Sequence, residues 1–66
     1  MWYWKIGFWV RRNDGGWMLT GYTPFFRGDV QKAEVEHYNS YDESGADATT
    51  LLYWWGGVWV KYEELP

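Results

Sequence analysis

Residues 2–22 read WYWKIGFWVRRNDGGWMLTGY, and the way this stretch pairs with itself decides the fold. Trp2, Trp4, Ile6, Phe8 and Val10 alternate with Tyr3, Lys5, Gly7, Trp9 and Arg11, so the two sets occupy opposite faces of a strand. Asn13-Asp14-Gly15-Gly16 follows, residues that tolerate the positive φ of a tight hairpin turn. Whether two or all four of them form the loop, Arg12 falls opposite Trp17, Val10 opposite Leu19, Trp9 opposite Thr20 and Phe8 opposite Gly21. One face is then strongly apolar, with Trp4, Ile6, Phe8, Val10, Trp17 and Leu19. The other is mixed, with Tyr3, Lys5, Trp9, Arg11, Met18 and Tyr22.

A second hairpin ends the chain. Thr50–Trp55 and Val58–Glu63 flank Gly56-Gly57, a suitable two-residue turn. That loop pairs Trp55 with Val58, Tyr53 with Val60 and Leu51 with Tyr62 on one apolar face. Trp54 against Trp59 and Leu52 against Lys61 fall on the other. A two-residue loop makes Trp54–Trp59 a non-hydrogen-bonded pair, where side chains approach most closely. A competing helical spacing runs through Ala48, Leu51, Leu52 and Trp55, but Thr49-Thr50 and the aromatic run favour the strand.

Between the hairpins, Pro24 and Gly28 mark a turn. Residues 29–38 read as a strand with Ala33, Val35 and His37 facing in, or as a short helix capped by Asp29 with Val30, Ala33 and His37 as its buried stripe. The strand is preferred, with residues 39–49 as a polar loop. The expected fold is mostly β: a small antiparallel sheet of about five strands, barrel-like, built on the two hairpins. The alternative is an α+β ββαββ arrangement with one helix on a four-stranded sheet.

The 66 residues make a single small domain, 1–66. A domain of this size buries only about 60% of its unfolded surface, so its core needs reinforcement. No cysteine is present, which removes disulfides and thiolate metal sites and fits a cytoplasmic location. Reinforcement falls to 7 Trp, 6 Tyr and 3 Phe, each able to bury about 150–250 Å². Residues 1–10 are apolar but lack the basic flank and cleavage site of a signal peptide, and no apolar run approaches a membrane span.

Catalysis and cofactors find little support. The single histidine, His37, has Glu34 and Glu36 nearby, but on a strand both carboxylates point away from it. No cysteine nucleophile or glycine-rich phosphate loop occurs, and no cofactor is expected. Asp42, Glu43 and Asp47 lack the spacing of a calcium loop and read as a solvated acidic segment. Arg27-Gly28-Asp29 resembles an integrin-recognition tripeptide, but a three-residue match is a weak signal and a turn with a charged rim is the better account.

Charge is lopsided. Residues 1–27 carry most of the cations and residues 28–66 most of the carboxylates, for a net charge of −3. Such polarity favours a basic partner on the acidic side. Trp, Tyr and Arg are the residues most enriched in interface hot spots. The expected function is therefore a non-catalytic protein-binding module that docks on a basic protein surface. Trp9, Tyr22, Trp54 and Trp59 form its aromatic platform, and Glu34, Glu36, Asp42 and Glu43 steer it. Tiny size, acidity and the lack of catalytic apparatus are similar in general character to small phage-encoded inhibitors of host enzymes, though no motif belongs to a particular such family. The alternative is a carbohydrate-binding module that stacks sugars on the same aromatic row. Nucleic acid is disfavoured by the net negative charge. No membrane partner is expected, and an exposed aromatic face leaves self-association as a third role.

Overall fold

A computed structural model describes residues 2–62. Five strands, β1 (Trp2–Arg11), β2 (Trp17–Tyr22), β3 (Phe26–Gly28), β4 (Ala48–Trp55) and β5 (Val58–Lys61), form one antiparallel sheet that curls as a half-barrel. One helix, α1 (Val30–Ser44), packs on it. The strand order is β2-β1-β4-β5, and β3 pairs with the start of β1. The sheet expected on two hairpins is present, together with the single helix of the α+β alternative.

The long strand β1 organises the rest. Its first residues pair with β3 and its last with β2, while β4 lies along its other side. Between β2 and β3 the chain steps across at Thr23. Its backbone N–H donates to the Ile6 carbonyl at 2.8 Å, and its hydroxyl accepts from the Ile6 N–H at 3.0 Å. The expected hairpin at the C-terminal end appears in its expected register, with Trp55 opposite Val58, Trp54 opposite Trp59, Tyr53 opposite Val60 and Leu52 opposite Lys61. Gly56 and Gly57 turn it with φ of 60° and 84°. Strand β4 begins at Ala48, two residues earlier than expected, and the helical spacing over 48–55 is not used. Glu63, the last residue of the expected final strand, lies outside the described residues.

The first hairpin corrects its expected register. Its loop has three residues, Asn13-Asp14-Gly15, closed by Arg12 N–H to Gly16 O at 2.8 Å and Gly15 N–H to Arg12 O at 3.0 Å. Gly15, at φ 88°, supplies the left-handed residue that a three-residue loop needs. An odd loop slips the pairing by one, so Arg11 lies opposite Trp17, Val10 opposite Met18 and Trp9 opposite Leu19. A bulge at Thr20 then restores Phe8 opposite Gly21, and the Thr20 hydroxyl donates to the Phe8 carbonyl at 3.1 Å. Because strand side chains alternate, this slip moves Trp17 and Leu19 to the face of Trp9 and sends Met18 to the face of Val10.

Residues 29–38 are helical, not a strand, and the helix runs on through most of the expected polar loop. Asp29 caps its N-terminus, accepting from Lys32 N–H at 2.9 Å, and Gly45 ends it in the left-handed conformation. Val35, expected to face in on a strand, is exposed. Ala33 is fully buried and Val30 packs against the core, as the helical stripe requires.

The core lies between α1 and one face of the sheet, formed by Trp4, Ile6, Ala33 and Leu51. Trp4 meets Tyr53 and Tyr62 with ring centroids at 5.9 and 5.6 Å, and its indole N–H donates to the Gly28 carbonyl at 2.9 Å. That bond offsets the cost of removing the indole N–H from water. Among the described residues no helix is long and apolar enough to cross a membrane.

Candidate functional site

With α1 covering the face of Trp4, Ile6 and Leu51, the opposite face of the sheet is left open among the described residues. Strand alternation puts Tyr3, Lys5, Gly7, Trp9 and Arg11 of β1 there, joined across the ladders by Tyr22, Arg27, Leu52, Trp54, Trp59 and Lys61. Its centre is Lys5. The ammonium lies 3.8 Å from the Tyr22 ring centroid and 4.6 Å from that of Trp59, bridging β2 to β5 across two strands. Gly7 makes this contact feasible. Tyr22 lies directly over it, and a Cβ built on Gly7 would come within 3.2 Å of the ring.

Beside Lys5, four rings enclose a concavity of about 480 Å³: Tyr3, Phe25, Trp54 and Trp59. Their planes are inclined to one another. Trp54 and Trp59 meet edge-to-face at 67° and 5.3 Å, Phe25 and Trp59 at 44°, and Tyr3 and Phe25 at 77°. Phe25 is 65% exposed although it contacts both flanking rings. The result is an open aromatic depression whose rings are not coplanar.

All four expected platform residues lie on this face, but they do not form one patch. Trp54 and Trp59 line the depression, and Tyr22 joins them through Lys5. Trp9 sits about six residues farther along β1 than Tyr3, on the order of 20 Å away. There it packs opposite Leu19 and Ala48, half-buried, near the Arg11–Trp17 pair whose guanidinium stands 4.9 Å from the ring centroid. The Trp9 indole N–H is buried without an acceptor among the described residues.

The four expected steering carboxylates are elsewhere. Glu34, Glu36, Asp42 and Glu43 all belong to α1, on the opposite side of the sheet from the platform. A single flat partner cannot meet both sets. The described residues of the open face include the cations Lys5, Arg11, Arg27 and Lys61. The lopsided charge along the chain thus becomes a two-sided molecule. Residues 1–27 supply β1, β2 and most of β3, while α1 carries four of the nine acids.

Lys5, Tyr3 and Phe25 were not among the expected site residues. The alternation of β1 already put Tyr3 and Lys5 on the mixed face, and the Trp54–Trp59 pairing was legible. Phe25 had no readable signal, because it lies in the irregular link between β2 and β3.

The other singled-out residues lie away from this face or at its ends. His37 Nε2 lies 2.7 Å from the Thr49 hydroxyl, joining α1 to β4 beside a groove of about 510 Å³ lined by Glu34, Tyr38, Tyr41 and Tyr62. On the helix Glu34 is one turn from His37 and shares this groove, so the strand argument that separated them does not hold. Thr49 sits within β4 opposite Phe8. The carboxylate of Asp47 accepts from Arg11 N–H at 2.7 Å and its N–H donates to the Trp9 carbonyl at 3.0 Å, tying the entry of β4 to β1. No group of residues suited to a metal ion occurs among the described residues. In the Arg27-Gly28-Asp29 tripeptide, Gly28 is buried beneath Lys32 and Asp29 caps the helix. Comparison of the chain with known protein families, characterised proteins and solved structures finds no match.

Proposed function

We propose that this chain is a non-catalytic binding module whose working surface is the open face of the sheet. The observation that carries this reading is the aromatic depression beside Lys5, formed by side chains that the core does not use. Exposed aromatics grouped with cations are the composition of an interaction hot spot. The His37–Thr49 pair acts as a pin between helix and sheet. The carboxylates of α1 keep the far side hydrated and do not share in docking.

A carbohydrate platform fits this face less well. Sugar rings stack on flat, aligned aromatic surfaces, whereas adjacent rings here are inclined by 44° to 77°.

Two variants of the intact chain separate the two faces. Trp54→Ala/Trp59→Ala removes two rings of the depression, and Glu36→Gln/Asp42→Asn/Glu43→Gln neutralises the helix. Both are screened with the parent against immobilised oligonucleotides, glycans, and acidic and basic peptides. The parent and the helix variant should retain a ligand class that the tryptophan variant loses. A ligand lost by the helix variant and kept by the tryptophan variant would move the working surface to α1 and sink the proposal.

A further inference from the structure

The outer edge of β2 is a second surface, separate from the aromatic depression, and we infer that it pairs with the β2 edge of another copy of this chain. The two strands run antiparallel about a two-fold axis at Met18. What the open face binds does not enter the argument.

Hydrogen bonding within the first hairpin fixes which backbone groups face outward. Arg12 N–H donates to Gly16 O at 2.8 Å, so these two residues form a hydrogen-bonded pair. Pair types alternate along an antiparallel ladder, which makes Arg11–Trp17 and Trp9–Leu19 non-hydrogen-bonded. The N–H and C=O of Trp17 and Leu19 therefore point away from β1. β2 ends the strand order on that side, and among the described residues nothing takes these groups up. The other edges are guarded. The Arg27 carbonyl of β3 accepts from Lys32 Nζ at 3.1 Å, and β5 carries the charged Lys61. Residues 17–22, WMLTGY, hold neither a charge nor a proline, the two commonest defences of an edge strand.

Only one antiparallel register satisfies both outward-facing residues of both copies. Trp17 pairs with Leu19 of the copy and Leu19 with Trp17 of the copy, each pair exchanging both of its hydrogen bonds, while Met18 lies opposite Met18 of the copy. Residues opposite one another share a face. Trp17 then packs against Leu19 of the copy on the open-face side, and the two Met18 side chains meet on the helix side. In the single chain Trp17 is 45% and Met18 50% exposed, so pairing covers apolar surface that the fold leaves in water. A foreign strand would have to bring this complementarity with it, whereas a second copy has it by symmetry. Residues 17–19 carry no charge, so no like charges are set opposite each other in this stretch. The bulge at Thr20 ends the regular edge, which keeps the pairing short and makes association weak and concentration-dependent. The axis stands perpendicular to the sheet, so both open faces look the same way and one dimer presents two aromatic depressions.

The test measures the mass of the full chain in solution by sedimentation and light scattering from about 1 µM to about 1 mM, the range of weak association. The mass should rise from that of one chain toward that of two. Met18→Lys and Met18→Glu each set like charges opposite each other at the axis and should weaken association about tenfold or more. Mixing the two variants should restore it, because Lys then meets Glu. Val35→Lys, on the exposed side of α1, should leave association unchanged. Circular dichroism checks each fold. An arm that needs no variant follows amide exchange in the parent, where the N–H groups of Trp17 and Leu19 should exchange more slowly as concentration rises. A parent that stays monomeric throughout would overturn the inference. So would a dimer that tolerates both Met18 variants, a mixture that fails to associate, or exchange at Trp17 and Leu19 that ignores concentration. A dimer lost in Trp54→Ala/Trp59→Ala but kept in Met18→Lys would place self-association on the open face and overturn it as well.

Discussion

Replacing Lys5 by Met isolates the charge at the centre of the open face. Methionine keeps an unbranched stem of similar reach and deletes the ammonium, so packing against β2 and β5 is largely retained. The ammonium faces two rings, at 3.8 Å from Tyr22 and 4.6 Å from Trp59. A cation over an aromatic face contributes about 0.5–1 kcal/mol at an exposed site and about 2 when desolvated. Lys5 is half-buried, which puts the pair of contacts at about 1–2 kcal/mol in total. In a domain of this size each 1 kcal/mol moves Tm by about 4–8 °C, so Lys5→Met should melt about 5–15 °C below the parent. Urea unfolding followed by tryptophan emission measures the free energy directly. The double-mutant cycle with Tyr22→Leu should give a coupling of about 0.5 kcal/mol or more. If Lys5→Met matches or exceeds the parent in stability and the cycle shows no coupling, the ammonium is not held by the rings. Lys5 would then be a surface lysine lying over apolar neighbours, and the electrostatic account of the face would lose its anchor.

Two glycines of the first hairpin should respond with opposite signs. Gly15→Ala puts a side chain at φ 88° in open space, so only backbone strain acts and stability should fall by about 1–2 kcal/mol in chemical denaturation. Gly21→Ala meets nothing within 4 Å at an ordinary φ and should gain about 0.4–1 kcal/mol. A loss at Gly21 would contradict the bulged register, which leaves that position uncrowded. His37→Ala and Thr49→Val should each lower stability by about 1 kcal/mol, with the double variant scarcely worse than either. Additive losses would mean that the two residues do not share one interaction.

The C-terminal hairpin was fully legible because its two-residue loop allows one register, and Gly56-Gly57 can adopt the positive φ that loop demands. Local chemistry sufficed for the Trp54–Trp59 contact. The first hairpin was legible only as a hairpin. Asn13-Asp14-Gly15-Gly16 permits loops of different length, and the sequence does not announce the bulge at Thr20 that compensates an odd one. With alternating side chains, that single residue decided which face received Trp17 and Leu19.

Residues 29–44 were harder, because the helix buries a narrow stripe. Ala33 alone is fully buried within it, and its last turns carry Asn39, Ser40, Asp42 and Ser44, residues that locally resemble a loop. Asp29 and Gly45 bracket the helix, but a cap and a stop are convincing only once a sheet exists for Val30 and Ala33 to cover. By itself, then, the sequence determined a small aromatic β domain, its alternating strands and the uneven distribution of charge along the chain. Tertiary structure alone decided that Lys5, Arg11, Arg27 and Lys61 share a face with Tyr3, Tyr22, Trp54 and Trp59, while Glu34, Glu36, Asp42 and Glu43 lie on the helix behind it. Which face α1 covers is a matter of packing between elements distant in sequence, and local periodicity carries no record of it.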